Sequence, residues 1–221
     1  MIKAVIFDVD GTLIDSVDAH ARAWLWAFAR HGHDIPLETL RGQIGKGADQ
    51  LMPEFMSPEQ IEKYGKKLED DRQMFFKEEY YEHLKAFPMV RELFERIIDS
   101  GKKIVLASSA KADELAHYEE LANVQDLIGA STSSDDAERS KPHPDIFHAA
   151  LEKLEGIGPD EAIVVGDTIW DAEAAGKAGL KTVGLLCGGF DEDKLKAAGC
   201  VAIYASPADL LAHLDDSPIS R

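Results

Sequence analysis

Asp8 and Asp10 stand two apart directly after the run Ala4-Val5-Ile6-Phe7, and no other pair in the chain is better placed to do chemistry. The run is apolar and rich in β-formers, so it reads as a strand buried on both faces. Residues two apart on an extended backbone point the same way. The two carboxylates therefore share one small space where the strand ends, before Gly11 turns the backbone and Thr12 follows. Such convergence is costly unless a proton or a cation compensates it. The pair predicts a site with an attacking carboxylate, a proton carrier and a divalent metal.

Three further groups follow later apolar runs. Ser108-Ser109 ends Ile104-Val105-Leu106-Ala107; a hydroxyl before a helix can join its N-terminal amides in holding an anion, and is also an ordinary N-cap. Lys141-Pro142 follows the polar stretch 131–140, where the proline restricts the lysine backbone and the amine can set a point charge on a phosphate. Gly166-Asp167-Thr168-Ile169-Trp170-Asp171 ends Ile163-Val164-Val165. Its two acids can face one cavity or simply favour a helix dipole. Taken together, an acid pair, a hydroxyl, a lysine and a second acid pair fall in order at successive strand ends. Oxygens from Asp8, Asp167 and a backbone carbonyl suit a hard octahedral Mg²⁺, and Ser108 with Lys141 can neutralise the oxygens of a phosphoryl group.

The elements that position these groups alternate. Further strand-like runs lie at Leu127–Ala130, Thr182–Leu186 and Val201–Tyr204, with helical apolar spacing over Val90–Ile98, Leu115–Leu121, Ile146–Leu154, Ala172–Ala178 and Leu210–Leu214. That pattern predicts an α/β fold, a doubly wound, Rossmann-like parallel sheet whose ligands bind beyond the carboxyl ends of the strands. Residues 16–86 break the rhythm and read as an inserted helical cap domain, leaving 1–15 and 87–221 as the core. One cap helix spans Ala19–Ala29; a long charged one spans Ser57–His83, with Ser57 as N-cap and Pro58 at its first position. Trp24, Trp26, Phe28 and Phe55 are expected in the cap core. Lys63, Lys66, Lys67 and Arg72, set among acids, are expected on a solvated face. Asp216–Arg221 is expected to fray.

Composition narrows the function. The 221 residues carry 24 Lys+Arg against 41 Asp+Glu, a net charge of −17. That balance argues against a polyanionic partner such as nucleic acid, and any phosphate chemistry must rely on local cations. No apolar run approaches the ~20 residues of a membrane span. Cys187 and Cys200 read as reduced thiols, and the cytoplasm is the expected location, with a monomer as the default state.

The four motifs resemble those of the haloacid dehalogenase superfamily, which read Asp-x-Asp-x-Thr, Ser/Thr, Lys and Gly-Asp-x-x-x-Asp, with a C1-type helical cap after the first. Ser140-Lys141-Pro142-His143-Pro144-Asp145-Ile146-Phe147 and Asp15-Ser16 resemble the subgroup containing phosphoglycolate phosphatase and β-phosphoglucomutase. The resemblance implies a phosphatase acting on a small phosphorylated metabolite. Asp8 would be the nucleophile that forms an aspartyl phosphate, and Asp10 the acid/base. Mg²⁺ would be held by Asp8, Asp167 and the Asp10 carbonyl, with Asp171 orienting these ligands or Lys141. Gly11, Thr12, Ser108, Ser109 and Lys141 would bind the phosphoryl group. Dehalogenases lack the second aspartate and phosphonate hydrolases carry alanine there, so Asp10 argues against both. A phosphosugar mutase is the rival, because His20 matches a residue that helps gate the acid in β-phosphoglucomutase. Its loop 44–51, however, has Lys46 and no arginine for a second phosphate. Lys46, between two glycines, is the cap residue expected to reach the substrate. A fold relative that binds phospholigands without turnover is the third reading.

Overall fold

The computed structural model describes residues 1–221. Strand β1 (Ala4–Phe7) sends Val5 and Phe7 into one apolar cluster and Ala4 and Ile6 into another, as the two-residue period of a strand requires. β2 (Lys103–Ala107), β3 (Ala130–Thr132), β4 (Ala162–Gly166), β5 (Lys181–Leu185) and β6 (Cys200–Tyr204) complete a six-stranded sheet. Its order is β3-β2-β1-β4-β5-β6, and every pairing is parallel. The chain runs outward from β1 through β2 to β3, then returns to place β4 on the other side of β1. A crevice opens at that reversal, beyond the carboxyl ends of β1 and β4.

The first five helices, α1 (Val17–Arg30), α2 (Leu37–Arg41), α3 (Ala48–Leu51), α4 (Pro58–Gln60) and α5 (Lys66–Glu79), fall between β1 and β2. α6 (Val90–Asp99), α7 (Ala112–Leu121) and α11 (Pro207–Ala212) pack on the Val5/Phe7 side of the sheet. α8 (Asp145–Glu152) and α9 (Ile169–Lys177) cover the Ala4/Ile6 side, and α10 (Glu192–Ala197) leads into β6. The helical segment after β1 has an apolar cluster of its own, centred on Trp24, Phe28, Leu40, Leu51 and Leu68. Its two connections to the sheet run side by side: Asp15 N donates to Lys85 O at 2.9 Å and Phe87 N to Leu13 O at 2.8 Å.

Three local expectations are corrected. The strand expected at Leu127–Ala130 lies later, at Ala130–Thr132, where Val105 to Ala107 supply its partners. The long helix is interrupted by a π-turn over Ile61–Gly65, which brings Gly65 against Ile61 and Met52. Residues 216–221 do not fray: Ser217 and Ile219 are buried, and Ile2 N donates to Arg221 O at 2.9 Å, tying the tail to the segment that leads into β1.

Candidate active site

Asp8 leaves β1 on the floor of the crevice. Its Oδ1 accepts from Lys141 Nζ at 2.5 Å, and its Oδ2 lies 3.0 Å from the Thr12 hydroxyl. Lys141, fully buried, also contacts Asp171 Oδ1 at 2.7 Å and donates to Ala107 O at 3.2 Å. Asp167, at the end of β4, meets the same Thr12 hydroxyl at 2.8 Å. Asp171 sits in the first turn of α9, where Thr168 caps the helix; the Thr168 hydroxyl and amide donate to Asp171 Oδ2 at 2.6 and 3.1 Å. Carboxylate oxygens of Asp8, Asp167 and Asp171 lie within 4.8 Å of one another.

Three carboxylates against one ammonium leave two uncompensated negative charges in a buried space. Burial, then Asp171, raises Asp8 from the ordinary 3.8 to about 7, against the opposing pull of Lys141. Burial, then Asp8 and Asp171, raises Asp167 well above its usual range. Burial also disfavours the Lys141 ammonium, but Asp171 and Asp8 outweigh it and hold the amine above an ordinary lysine.

The residues fit a divalent cation. The donor set is all oxygen, as Mg²⁺ prefers. Asp167 Oδ2 is buried with no hydrogen-bond partner. Gly11, at φ +82°, and Gly188 both back onto the Asp167 carboxylate so closely that a Cβ at either position would collide with it. Both glycines keep that carboxylate in place, and Gly188 carried no signal in the sequence because nothing local marks a glycine that a distant strand approaches.

Asp10 faces the other way. Its Oδ1 accepts from the Ser16 hydroxyl at 2.6 Å and lies 2.9 Å from His20 Nε2. Burial would raise its pKa, but the charge and hydrogen bond of His20 and the Ser16 hydroxyl together hold it below the usual carboxylate range. His20 stacks on Phe76 of α5 at 4.1 Å and lies 3.4 Å from the Tyr118 hydroxyl. The Asp10 carboxylate is thus held by the helical segment and lies outside the acidic cluster; only its carbonyl, which accepts no hydrogen bond within the turn, is left for the cation ligation expected of Asp10.

The residues expected to bind phosphate lie in different surroundings. The Thr12 hydroxyl is fully enclosed between Asp8 and Asp167. The Gly11 amide donates to Ile14 O at 2.8 Å, so its contribution is the turn and the clearance for Asp167. Ser108 is buried and accepts from Ala110 N at 3.0 Å, which leaves its own hydrogen free to donate. Ser109 lines the cavity above Asp8, and the amides of Val9, Asp10 and Ser109 donate to no acceptor in the protein. That cavity has a volume of about 460 Å³ and runs from Asp8 and Asp10 to the helical segment.

Lys46 lines the cavity, but its amine pairs with Glu54 at 2.7 Å and lies 4.0 Å from the centre of the Trp170 ring. The flanking glycines serve close approach: a Cβ on Gly45 would press on Thr168 and Trp170, and one on Gly47 would collide with Ser140. Arg72 departs from expectation. Lys63, Lys66 and Lys67 are exposed, whereas Arg72 turns inward and lines the cavity. Leu68 and Phe76, four residues either side of it, are both fully buried, so the 3.6-residue period marks Arg72 as inward-facing even amid the surrounding charge.

A pH dependence follows for the metal-free protein. The folded state holds the Asp8 proton more tightly than the unfolded chain, so between about pH 4 and 7 the native state binds more protons and stability falls as pH rises. Asparagine at position 8 removes that titration. Asp8→Asn is expected to raise Tm over wild type by several degrees at pH 8 and by clearly less at pH 5, read by thermal melts in EDTA. An equal shift at both pH values would contradict the raised Asp8 pKa.

Residues 2–179 match the model of a haloacid dehalogenase-like hydrolase. The chain is 30% identical over 216 residues to phosphoglycolate phosphatase of Yersinia pestis, covering 95% of this chain and 92% of that protein. It is 29% identical over 238 residues to phosphoglycolate phosphatase of Escherichia coli K12, covering 96% and 92%. Among solved structures, a hydrolase from Pseudomonas syringae superimposes with a TM-score of 0.87 at 32% identity, covering 97% of this chain and 98% of that one.

Proposed function

This chain belongs to the haloacid dehalogenase-like hydrolase family and is a phosphatase of it, and we propose that it hydrolyses a small phosphomonoester through an aspartyl phosphate at Asp8, with Mg²⁺ as cofactor. The observation that carries this reading is the Asp8–Lys141–Asp171–Asp167 cluster, whose two net negative charges and unpartnered Asp167 oxygen suit one divalent cation at the nucleophile. We further propose that residues 16–86 act as a cap over this site, separate from the core formed by 1–15 and 87–221.

Asp8 attacks phosphorus, the Asp8 O–P bond forms and the ester P–O bond breaks. Asp10 passes a proton to the leaving oxygen; it then takes a proton from a water, which attacks phosphorus, releases phosphate and restores Asp8. Lys141 keeps Asp8 oriented and offsets charge as the phosphoryl group arrives. The Ser108 hydroxyl, Ser109 and the free amides of Val9, Asp10 and Ser109 receive the non-bridging oxygens. His20 and Ser16 hold the Asp10 carboxylate from the helical side, so acid/base chemistry depends on how that segment sits over the sheet. In the metal-free site Asp8 tends to keep its proton and Asp10 to lose one, the reverse of what attack needs. A divalent cation held by Asp8, Asp167 and the Asp10 carbonyl would favour the ionised nucleophile and offset phosphoryl charge.

The phosphosugar mutase reading is less well supported. Lys46 is neutralised by Glu54, and Asp49 in the same loop already accepts from Ser140 N at 3.1 Å, so loop 44–51 offers no free cation to a second phosphate. The test is inorganic phosphate release from a panel of small phosphomonoesters with excess Mg²⁺ and with EDTA. Chelation should lower the rate by at least about 10²-fold, and added Mg²⁺ should restore it. Isomerised sugar phosphate without phosphate release would favour the mutase, and no product of either kind would overturn both.

A further inference from the structure

The cavity wall opposite Asp8 carries a cation that the reaction above does not use. Of the lysines and arginines lining the cavity, Lys46 pairs with Glu54 and Lys111 donates to Gln73 Oε1 at 3.0 Å. Arg72 alone makes no ion pair and no hydrogen bond, and its Nε and Nη1 are buried without a partner. Its guanidinium carbon lies 5.1 Å from the centre of the Trp24 ring, a cation–π contact that uses none of its hydrogen-bond donors. A buried donor left unsatisfied is disfavoured, so a side chain held this way at a cavity wall is set for an acceptor that arrives with a ligand.

We propose that Arg72 is a specificity-determining residue that binds a carboxylate at the far end of the leaving group, making phosphorylated hydroxy acids the preferred substrates. This rests on the phosphatase reading of the same site. With the phosphoryl group on Asp8 and the ester oxygen at Asp10, the rest of the substrate extends into the cavity towards α5. There a planar, singly charged carboxylate matches the guanidinium fork. A second phosphate fits less well, because Glu69, Glu114 and Asp10 line the same cavity and Arg72 is the only unengaged cation among them.

The experiment compares kcat/KM for phosphoglycolate, for ethyl phosphate (the same length without the carboxylate) and for the bisphosphate of ethylene glycol, in wild type, Arg72→Met and Arg72→Lys. Wild type should favour phosphoglycolate over ethyl phosphate by at least about 30-fold, and Arg72→Met should reduce that ratio to about 3-fold or less, chiefly through KM. Arg72→Lys should retain an intermediate ratio, since it keeps the charge and loses the fork. Because the ratio is internal to each protein, a general loss of folded enzyme does not mimic the effect. An unchanged ratio in Arg72→Met, equal loss on both monophosphates, or preference for the bisphosphate would each overturn the proposal. Absence of phosphate release from every ester by wild type would instead overturn the phosphatase reading itself.

Discussion

Asp8→Asn is expected to lower kcat by at least about 10⁴-fold while leaving the fold intact. Asparagine has nearly the shape of aspartate, but its amide does not attack phosphorus. Lys141 keeps Asp171 and the Ala107 carbonyl as partners, so the substitution does not strand a buried ammonium. Two measurements separate this from simple disruption. Thermal melts should show a folded variant, more stable than wild type in EDTA at pH 8 for the reason given above. Acid-quenched wild-type enzyme, caught during turnover and reduced with borohydride, should carry the modification on the peptide containing Asp8, and the variant should carry none. Near-wild-type phosphate release by Asp8→Asn would remove the aspartyl phosphate from the mechanism.

Lys141→Ala should damage both stability and activity. The amine is fully buried and stands between Asp8 and Asp171, with Asp167 in the same cluster. Deleting it leaves buried carboxylates with no cation, a change expected to cost about 3–5 kcal/mol in metal-free protein. Turnover should fall by about 10³-fold, because Asp8 loses its orienting partner and the phosphoryl group meets uncompensated charge. Mg²⁺ should raise the Tm of this variant more than that of wild type, since the site then lacks its only fixed cation. Lys141→Arg should not restore turnover: the fully enclosed space fits an ammonium, and a guanidinium is larger and planar. Wild-type Tm and turnover in Lys141→Ala would show that the cluster is not the functional centre.

The contrast between Lys141 and Arg72 shows how far local sequence reaches. Lys141 is legible in the sequence because it falls in order with three other motifs, although nothing local shows that it is buried or that it reaches Asp8 from the loop between β3 and α8. Arg72 sits in one of the most charged stretches of the chain, and composition placed it on a solvated face. Its inward orientation is a matter of helical phase, with Leu68 and Phe76 on the same stripe, and of a cavity formed with residues from α1, α7 and the 44–51 loop. Asp171 gives a third case. As a first-turn acid it had an ordinary helix-dipole explanation, and only the approach of Lys141 from another part of the chain makes it a member of the cluster.

Local sequence sets the alternation of strands and helices, the helical insertion after β1, and the placing of Asp8, Asp10 and Asp167 just past β1 and β4, whereas Lys141 lies in the loop between β3 and α8. These follow from apolar periodicity and turn chemistry, which act over a few residues. The tertiary structure decided which carboxylates share a space. It turned Asp10 towards His20 and Ser16, put Thr12 between Asp8 and Asp167, and drew Asp171 into the cluster. It also set Gly188 behind Asp167 and left Arg72 without a partner. These outcomes depend on which strands become neighbours in the order β3-β2-β1-β4-β5-β6. That order places residues more than 130 positions apart within hydrogen-bonding distance, as with Asp8 and Lys141, separated by 133. No local pattern encodes such a meeting, because the energy that selects it comes from packing two faces of one sheet.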